Sequence, residues 1–212
     1  AYTTFTGNPV RPEILALKNE PYYAPAPNEP FHILIIGGSQ GAKIFSEIVP
    51  QTFINLPLEL QKRLKVVQQC RPEYLPHTKV IYRQSFIEVE LTPFIEDIST
   101  QYRQAHLVIA RSGASTIAEL AIVRRPAILV PYAASLEADQ SYNAAPMGQA
   151  KAAWVFKEDE FTPKNLGILL EALMEKPEKL TLASKAMEQF GQPNATEQLA
   201  YTVAEVIGDR LC

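Results

Sequence analysis

The sequence predicts an α/β protein built on a doubly wound parallel sheet of about six strands, and three observations carry this reading. Phe31–Ile36 is a continuous apolar run ended by Gly37-Gly38, the pattern of a strand buried on both faces, and parallel sheets are made of such strands. Five further short runs follow, at residues 65–69, 85–92, 106–110, 127–130 and 152–156. Helix-period stretches at residues 44–55, 95–104, 116–123 and 140–149 separate most of them, and alternating β and α with right-handed crossovers puts helices on both faces of one sheet.

The flanks read differently. Residues 1–30 hold Pro9, Pro12, Pro21, Pro25, Pro27 and Pro30; proline fixes φ and removes a backbone donor, so a linker with little regular structure is expected there. After the sheet, helical patterns alone remain, at about residues 163–175, 177–189 and 195–209, with Pro near the first two starts, where its missing N–H is harmless.

Composition narrows the function classes. With 47% hydrophobic and 20% charged residues the chain can build a core. Its 20 Lys and Arg against 23 Asp and Glu leave a net charge of −3, so a nucleic-acid partner held by bulk electrostatics is not expected. Cys70 and Cys212 lie far apart and outside any Cys/His cluster, which argues for a reducing compartment and no zinc. No apolar run approaches the length needed to cross a bilayer, so the chain itself reads as soluble.

Three loops could carry chemistry. Strand 31–36 runs into Gly37-Gly38-Ser39-Gln40-Gly41-Ala42, where glycines let the backbone turn tightly and the next helix aims its unpaired N–H groups at an anion or diphosphate. This GGxxG pattern meets neither GxGxxG nor the P-loop, and a plain strand-to-helix turn is the alternative. Strand 106–110 leads into Arg111-Ser112-Gly113-Ala114-Ser115-Thr116. There the amides of Ala114, Ser115 and Thr116 could hold a phosphate while Glu119, one turn along, accepts ribose hydroxyls. Thr116-x-x-Glu119 also fits a capping box, in which Glu119 would satisfy a backbone N–H. After the next strand come Glu137, Asp139, Gln140 and Asn143, at the sheet edge where open α/β folds bind ligands; Asp139 could instead cap a helix. No DxD pair occurs in these loops, Glu158-Asp159-Glu160 reads as a solvated turn, and His32, His77 and His106 read as structural.

Taken together, Thr6-Gly7-Asn8-Pro9-Val10-Arg11, the 37–42 loop, Arg111 to Leu120 and Asp139-Gln140-x-x-Asn143-Ala144 resemble the MurG family of glycosyltransferases. The resemblance runs through nearly the whole chain and implies the GT-B architecture, two Rossmann-like domains facing across a cleft, of which this sequence matches the second. Residues 1–30 would be the interdomain linker and residues 31–190 the donor-binding domain. Residues 191–212 would form a helix returning to the other domain, and without that domain the exposed helix could drive self-association.

The family transfers N-acetylglucosamine from UDP to undecaprenyl-diphospho-N-acetylmuramoyl-pentapeptide (lipid I), with inversion, as a peripheral enzyme on the cytoplasmic face of the bacterial membrane. The resemblance implies no cofactor and no metal. It assigns Ser39 and the 114–116 turn to the diphosphate, with Arg11 near the phosphates, and counts Gln40 among the donor-binding residues. It assigns Glu119 to the ribose, backbone at Phe94 and Ile95 to the uracil, and Gln140, Asn143 and Asp139 to the sugar, with Arg111 framing that pocket. The base, like the lipid I and membrane contacts, would lie in the other domain, so this chain alone is expected to bind donor without transferring it. Asp139 and the 70–85 stretch depart from the family pattern. A UDP-N-acetylglucosamine epimerase, a glycolipid glycosyltransferase or a non-catalytic subunit of a split enzyme would use similar loops.

Overall fold

A computed structural model describes residues 3–38, 41–134 and 138–208. All six strands form one parallel sheet in the order β3-β2-β1-β4-β5-β6, with β1 Phe31–Ile36, β2 Leu64–Gln69, β3 Glu88–Thr92, β4 Leu107–Ala110, β5 Ala127–Leu129 and β6 Ala153–Val155. This is the Rossmann-like order. Ile33 of β1 lies opposite Val66 of β2 and Leu107 of β4, and successive β1 side chains divide between two cores.

Phe31, Ile33 and Ile35 join Phe45, Val49 and Phe53 of α2 (Lys43–Ile54) and Leu166, Leu170 and Leu173 of α8 (Pro163–Glu175). Leu34 joins Tyr102 of α5 (Ile98–Gln104), Leu120 and Val123 of α6 (Ala114–Val123) and Met147 of α7 (Asp139–Gln149). The i, i+4, i+8 spacing of the α2 residues puts one apolar stripe on the sheet. Each such side chain removed from water contributes about 1.5–3 kcal/mol.

The structure corrects the sequence in three places. Within residues 1–30, Pro12–Leu15 forms a short helix, α1, with Pro at its start. Ile14 and Leu17 are buried in the second core, so this stretch is packed and not merely connecting. Residues 58–61 add one turn, α3 (Leu58–Gln61), and residues 75–82, where no helix was expected, form α4 (Leu75–Tyr82), burying Thr78, Ile81 and Tyr82. The third strand accordingly begins at Glu88 and not at residue 85. Finally, α5 starts at Ile98 because Asp97 accepts the Thr100 N–H at 3.0 Å, a side-chain cap that fixes the first turn.

The helical tail is as expected, with α9 (Glu178–Met187) followed by α10 (Ala195–Gly208). On α10 Leu199, Tyr201, Val203, Val206 and Ile207 are exposed. Among the described residues no helix is long and apolar enough to cross a membrane.

Candidate nucleotide-sugar site

The sheet reverses its winding between β1 and β4, which are hydrogen-bonded neighbours, so both glycine loops emerge side by side from the carboxyl edge at the topological switch point. Ligands of open α/β sheets bind at such a crevice. At Gly37 a Cβ would fall 2.0 Å from the Ala42 nitrogen, and Gly38 and Gly41 have φ of +82° and +71°; only glycine closes this turn without strain. The Gly37 N–H donates to Gln69 Oε1 at 3.0 Å, and the Gly41 carbonyl accepts from Arg71 Nε at 3.1 Å. Ser39 and Gln40 lie outside the described residues. Helices α2 and α6 are preceded by cap residues Ala42 and Gly113, neither of which supplies a side-chain cap. Their first-turn amides, including those of Ala114, Ser115 and Thr116, therefore have no capping side chain, and the positive ends of both helix dipoles lie at this edge.

One cavity of about 360 Å³ is lined by Arg11, Gly38, Gln69, Phe94, Ile95, Tyr102, Ser115, Thr116 and Glu119, among others. Glu119 is nearly buried at its floor. Arg11 donates to Oε1 through Nε at 2.9 Å and Nη2 at 2.8 Å, and the Tyr102 hydroxyl donates to Oε2 at 3.2 Å. The capping box is not formed: the helix is capped at Gly113, which places Glu119 well beyond the first turn. Arg11, expected near the phosphates, has its guanidinium on this carboxylate. Phe94 is locally tied, its N–H and carbonyl both engaging the Thr92 hydroxyl.

A larger cavity of about 720 Å³ shares Gly38 and Thr116 with the first and continues to Lys43, Arg71, Arg111, Tyr132, Gln140 and Glu158. Arg111 donates to the Val130 and Pro131 carbonyls, stacks 5.1 Å from the Tyr132 ring centroid and pairs with Glu158. Glu158, read from sequence as solvated, thus anchors a cleft cation, and it also accepts the Ala133 N–H at 3.2 Å.

Gln140 Oε1 accepts the Tyr132 N–H at 3.0 Å. Asn143 Nδ2 donates to the Ser112 carbonyl at 3.0 Å and so braces the second glycine loop. Asp139 is exposed and, among the described residues, accepts its neighbour's N–H at 2.7 Å; the cap position of α7 is Ala138, so Asp139 is not the helix cap. Asp139, Asn143 and Ala114 line neither cavity.

Gln69, Tyr102 and Glu158 were not singled out as site residues by sequence. The glutamine pair Gln68-Gln69 at the carboxyl end of β2 is a usable signal for Gln69; Tyr102 looks like any apolar helix residue.

The histidines stand elsewhere. His106 Nδ1 accepts the His32 N–H at 3.0 Å at the opposite, amino-terminal edge of the sheet. Burial first, and then His32, push the His106 imidazole down to about 4. His77 is exposed on α4. Among the described residues no group of three or more His, Cys, Asp or Glu could hold a metal ion.

A parallel sheet carrying two glycine turns at its switch point, with a buried carboxylate on the helix behind one of them, defines the doubly wound α/β class, whose members bind ligands at that crevice. Residues 32–199 match the C-terminal domain of glycosyltransferase family 28, and the chain belongs to that family. Within it, the MurG resemblance holds. The chain is 48% identical over 201 residues to the UDP-N-acetylglucosamine--N-acetylmuramyl-(pentapeptide) pyrophosphoryl-undecaprenol N-acetylglucosamine transferase of Methylobacterium sp. (strain 4-46), covering 94% of this chain and 54% of that protein. It is 42% identical to the enzyme of the same name from Phenylobacterium zucineum, covering 96% of this chain and 56% of that protein. Among solved structures, Acinetobacter baumannii MurG superposes with a TM-score of 0.76 at 30% identity, over 84% of this chain and 52% of that one. A putative UDP-N-acetylglucosamine 2-epimerase from Listeria monocytogenes shares the fold, with a TM-score of 0.65 at 14% identity over 96% of this chain and 53% of that one. The chain spans about half the length of the curated relatives it matches.

Proposed function

We propose that the chain is the donor-binding half of the transferase that moves N-acetylglucosamine from UDP to lipid I, forming lipid II for peptidoglycan. The observation that carries this reading is the convergence of both glycine turns, the 92–95 segment and Glu119 on one crevice of nucleotide size. The smaller cavity suits the nucleoside, with Glu119 accepting ribose hydroxyls and backbone at Phe94 and Ile95 against the base. Because the Thr92 hydroxyl already engages Phe94, Ile95 is the better placed of the two to pair with uracil. The diphosphate would cross the α6 N-terminus, and the sugar would enter the larger cavity beside Arg111 and Gln140.

The reaction is an inverting displacement at the anomeric carbon. Negative charge grows on the departing UDP, where first-turn amides and nearby guanidinium groups stabilise it without a metal. The acceptor hydroxyl needs a base, and none is assigned among the described residues; base, lipid I and membrane contacts belong to the part of the relatives this chain does not span. The exposed apolar residues of α10 suit a helix covered by that part.

Calorimetric titration tests the reading. UDP-N-acetylglucosamine should bind with EDTA present, and Glu119→Ala should weaken it about tenfold or more, because ribose hydroxyls left unpaired cost about 1–3 kcal/mol. Transfer to a lipid I analogue should require a separately supplied first domain. Equal affinity of the folded variant, or binding restored only by Mg²⁺, would contradict the proposal.

A further inference from the structure

We infer that Tyr102 is a positioning residue: its hydroxyl fixes the Glu119 carboxylate for a nucleotide's ribose and so sets the preference for ribose over deoxyribose nucleotides. This rests on the reading that Glu119 meets the ribose. A glutamate has three rotatable bonds, and its carboxylate can offer lone pairs to two vicinal hydroxyls only if its plane is held. Two side chains hold it here through three hydrogen bonds: Arg11 gives two to Oε1 and the Tyr102 hydroxyl gives one to Oε2.

The two are not equivalent. The Arg11 side chain is 48% exposed and comes from a distant segment, 108 residues away in sequence; water weakens such a contact. Tyr102 is fully buried in the second core. Its own carbonyl is gripped by the buried Arg125 through Nε at 2.7 Å, so the ring cannot drift. Burial first, and then the neighbouring carboxylate, raise the phenol well above its ordinary value, which keeps the hydroxyl a donor at neutral pH. Oε2 retains a second acceptor position for a ribose hydroxyl, and Oε1 gains one where the exposed Arg11 releases either of its two bonds.

Tyr102→Phe keeps the ring that fills the core and deletes only the donor. The test is calorimetric titration of wild type and Y102F with UDP, 2′-deoxy-UDP and 3′-deoxy-UDP, with thermal unfolding recorded alongside. Wild type is expected to prefer UDP over each deoxy analogue about tenfold. Y102F is expected to lose about fivefold to tenfold in UDP affinity while its affinity for at least one deoxy analogue changes by less than about twofold, so that the preference collapses. A Y102F protein that keeps the wild-type preference ratio, whatever its unfolding temperature, would show that the hydroxyl merely fills a core position and would overturn the proposal while leaving the ribose reading intact. A wild type that binds UDP and both deoxy analogues equally would overturn the ribose reading itself.

Discussion

Three glycines of the two loops respond differently to the same added methyl group, and the differences follow from geometry. At Gly37 a Cβ would sit 2.0 Å from the Ala42 nitrogen and 2.5 Å from the Gly41 carbonyl carbon. These are backbone atoms that cannot step aside, so Gly37→Ala must open the turn, lengthen its 3.0 Å bond to Gln69 and displace the α2 N-terminus. At Gly38 nothing lies within 4 Å of the added carbon, but φ is +82°, and the left-handed region costs an alanine about 1–2 kcal/mol. At Gly113 the space is open and φ is −62°. There the gain from a stiffer unfolded chain, about 0.4–1 kcal/mol, is offset by alanine's weakness at a helix cap, and the net change should stay within about 0.5 kcal/mol. Urea unfolding and calorimetric titration with UDP-N-acetylglucosamine measure both consequences. Gly37→Ala should abolish detectable binding and lose the most stability, Gly38→Ala should lose about 1–2 kcal/mol of stability, and Gly113→Ala should resemble wild type. A Gly37→Ala protein with wild-type stability and affinity, or a Gly113→Ala protein as damaged as Gly37→Ala, would refute the reasoning.

Glu158→Ala should destabilise by about 1–2 kcal/mol in denaturant, because it leaves the Arg111 side chain, only 11% exposed, without its counter-charge; it should weaken UDP-N-acetylglucosamine binding more than UDP binding. Ile14→Ala should cost about 2–5 kcal/mol, the range for a fully buried isoleucine, by the same measurement. His106 takes a proton near 6.5 when unfolded but only at about 4 when folded. Between those values the unfolded chain binds more protons, so this contribution to stability is complete above pH 6.5 and disappears as pH falls to 4. It amounts to about 2 kcal/mol after allowance for partial exposure, and His106→Phe should flatten that part of a stability-against-pH curve.

What was legible in the sequence was local. Phe31–Ile36 announces itself because both faces are buried and the run is unbroken, and the 37–41 turn announces itself because its backbone leaves no other residue type a comfortable choice. Helix α4 was missed because Leu75–Tyr82 is short, carries Pro76 and His77, and buries only Thr78, Ile81 and Tyr82; its periodicity is too weak to separate from a loop. Ile14 and Leu17 were obscured by the surrounding prolines, and their burial is decided by the sheet they dock against.

The same distinction governs the site. Glu119 was found by its place behind a glycine turn, but Arg11, Tyr102 and Glu119 meet across segments 108 and 17 residues apart. The pairing of Arg111 with Glu158 spans 47 residues, and local spacing does not encode such a contact.

On the proposed reading, the nucleotide sugar occupies the carboxyl edge of the sheet at the β1–β4 switch point. Two cavities of about 400 and 360 Å³ at the amino-terminal edge, around His32, Lys65 and Glu88 and around Tyr22, His106 and Arg125, offer the competing location. Backbone amide shifts recorded by nuclear magnetic resonance during titration with UDP-N-acetylglucosamine decide between them. The largest changes should fall at Gly37, Gly38, Phe94, Ile95, Gly113 to Thr116 and Glu119, with His32, Lys65, Glu88 and His106 unmoved. Shifts concentrated on that second group, with the glycine turns unmoved, would contradict it.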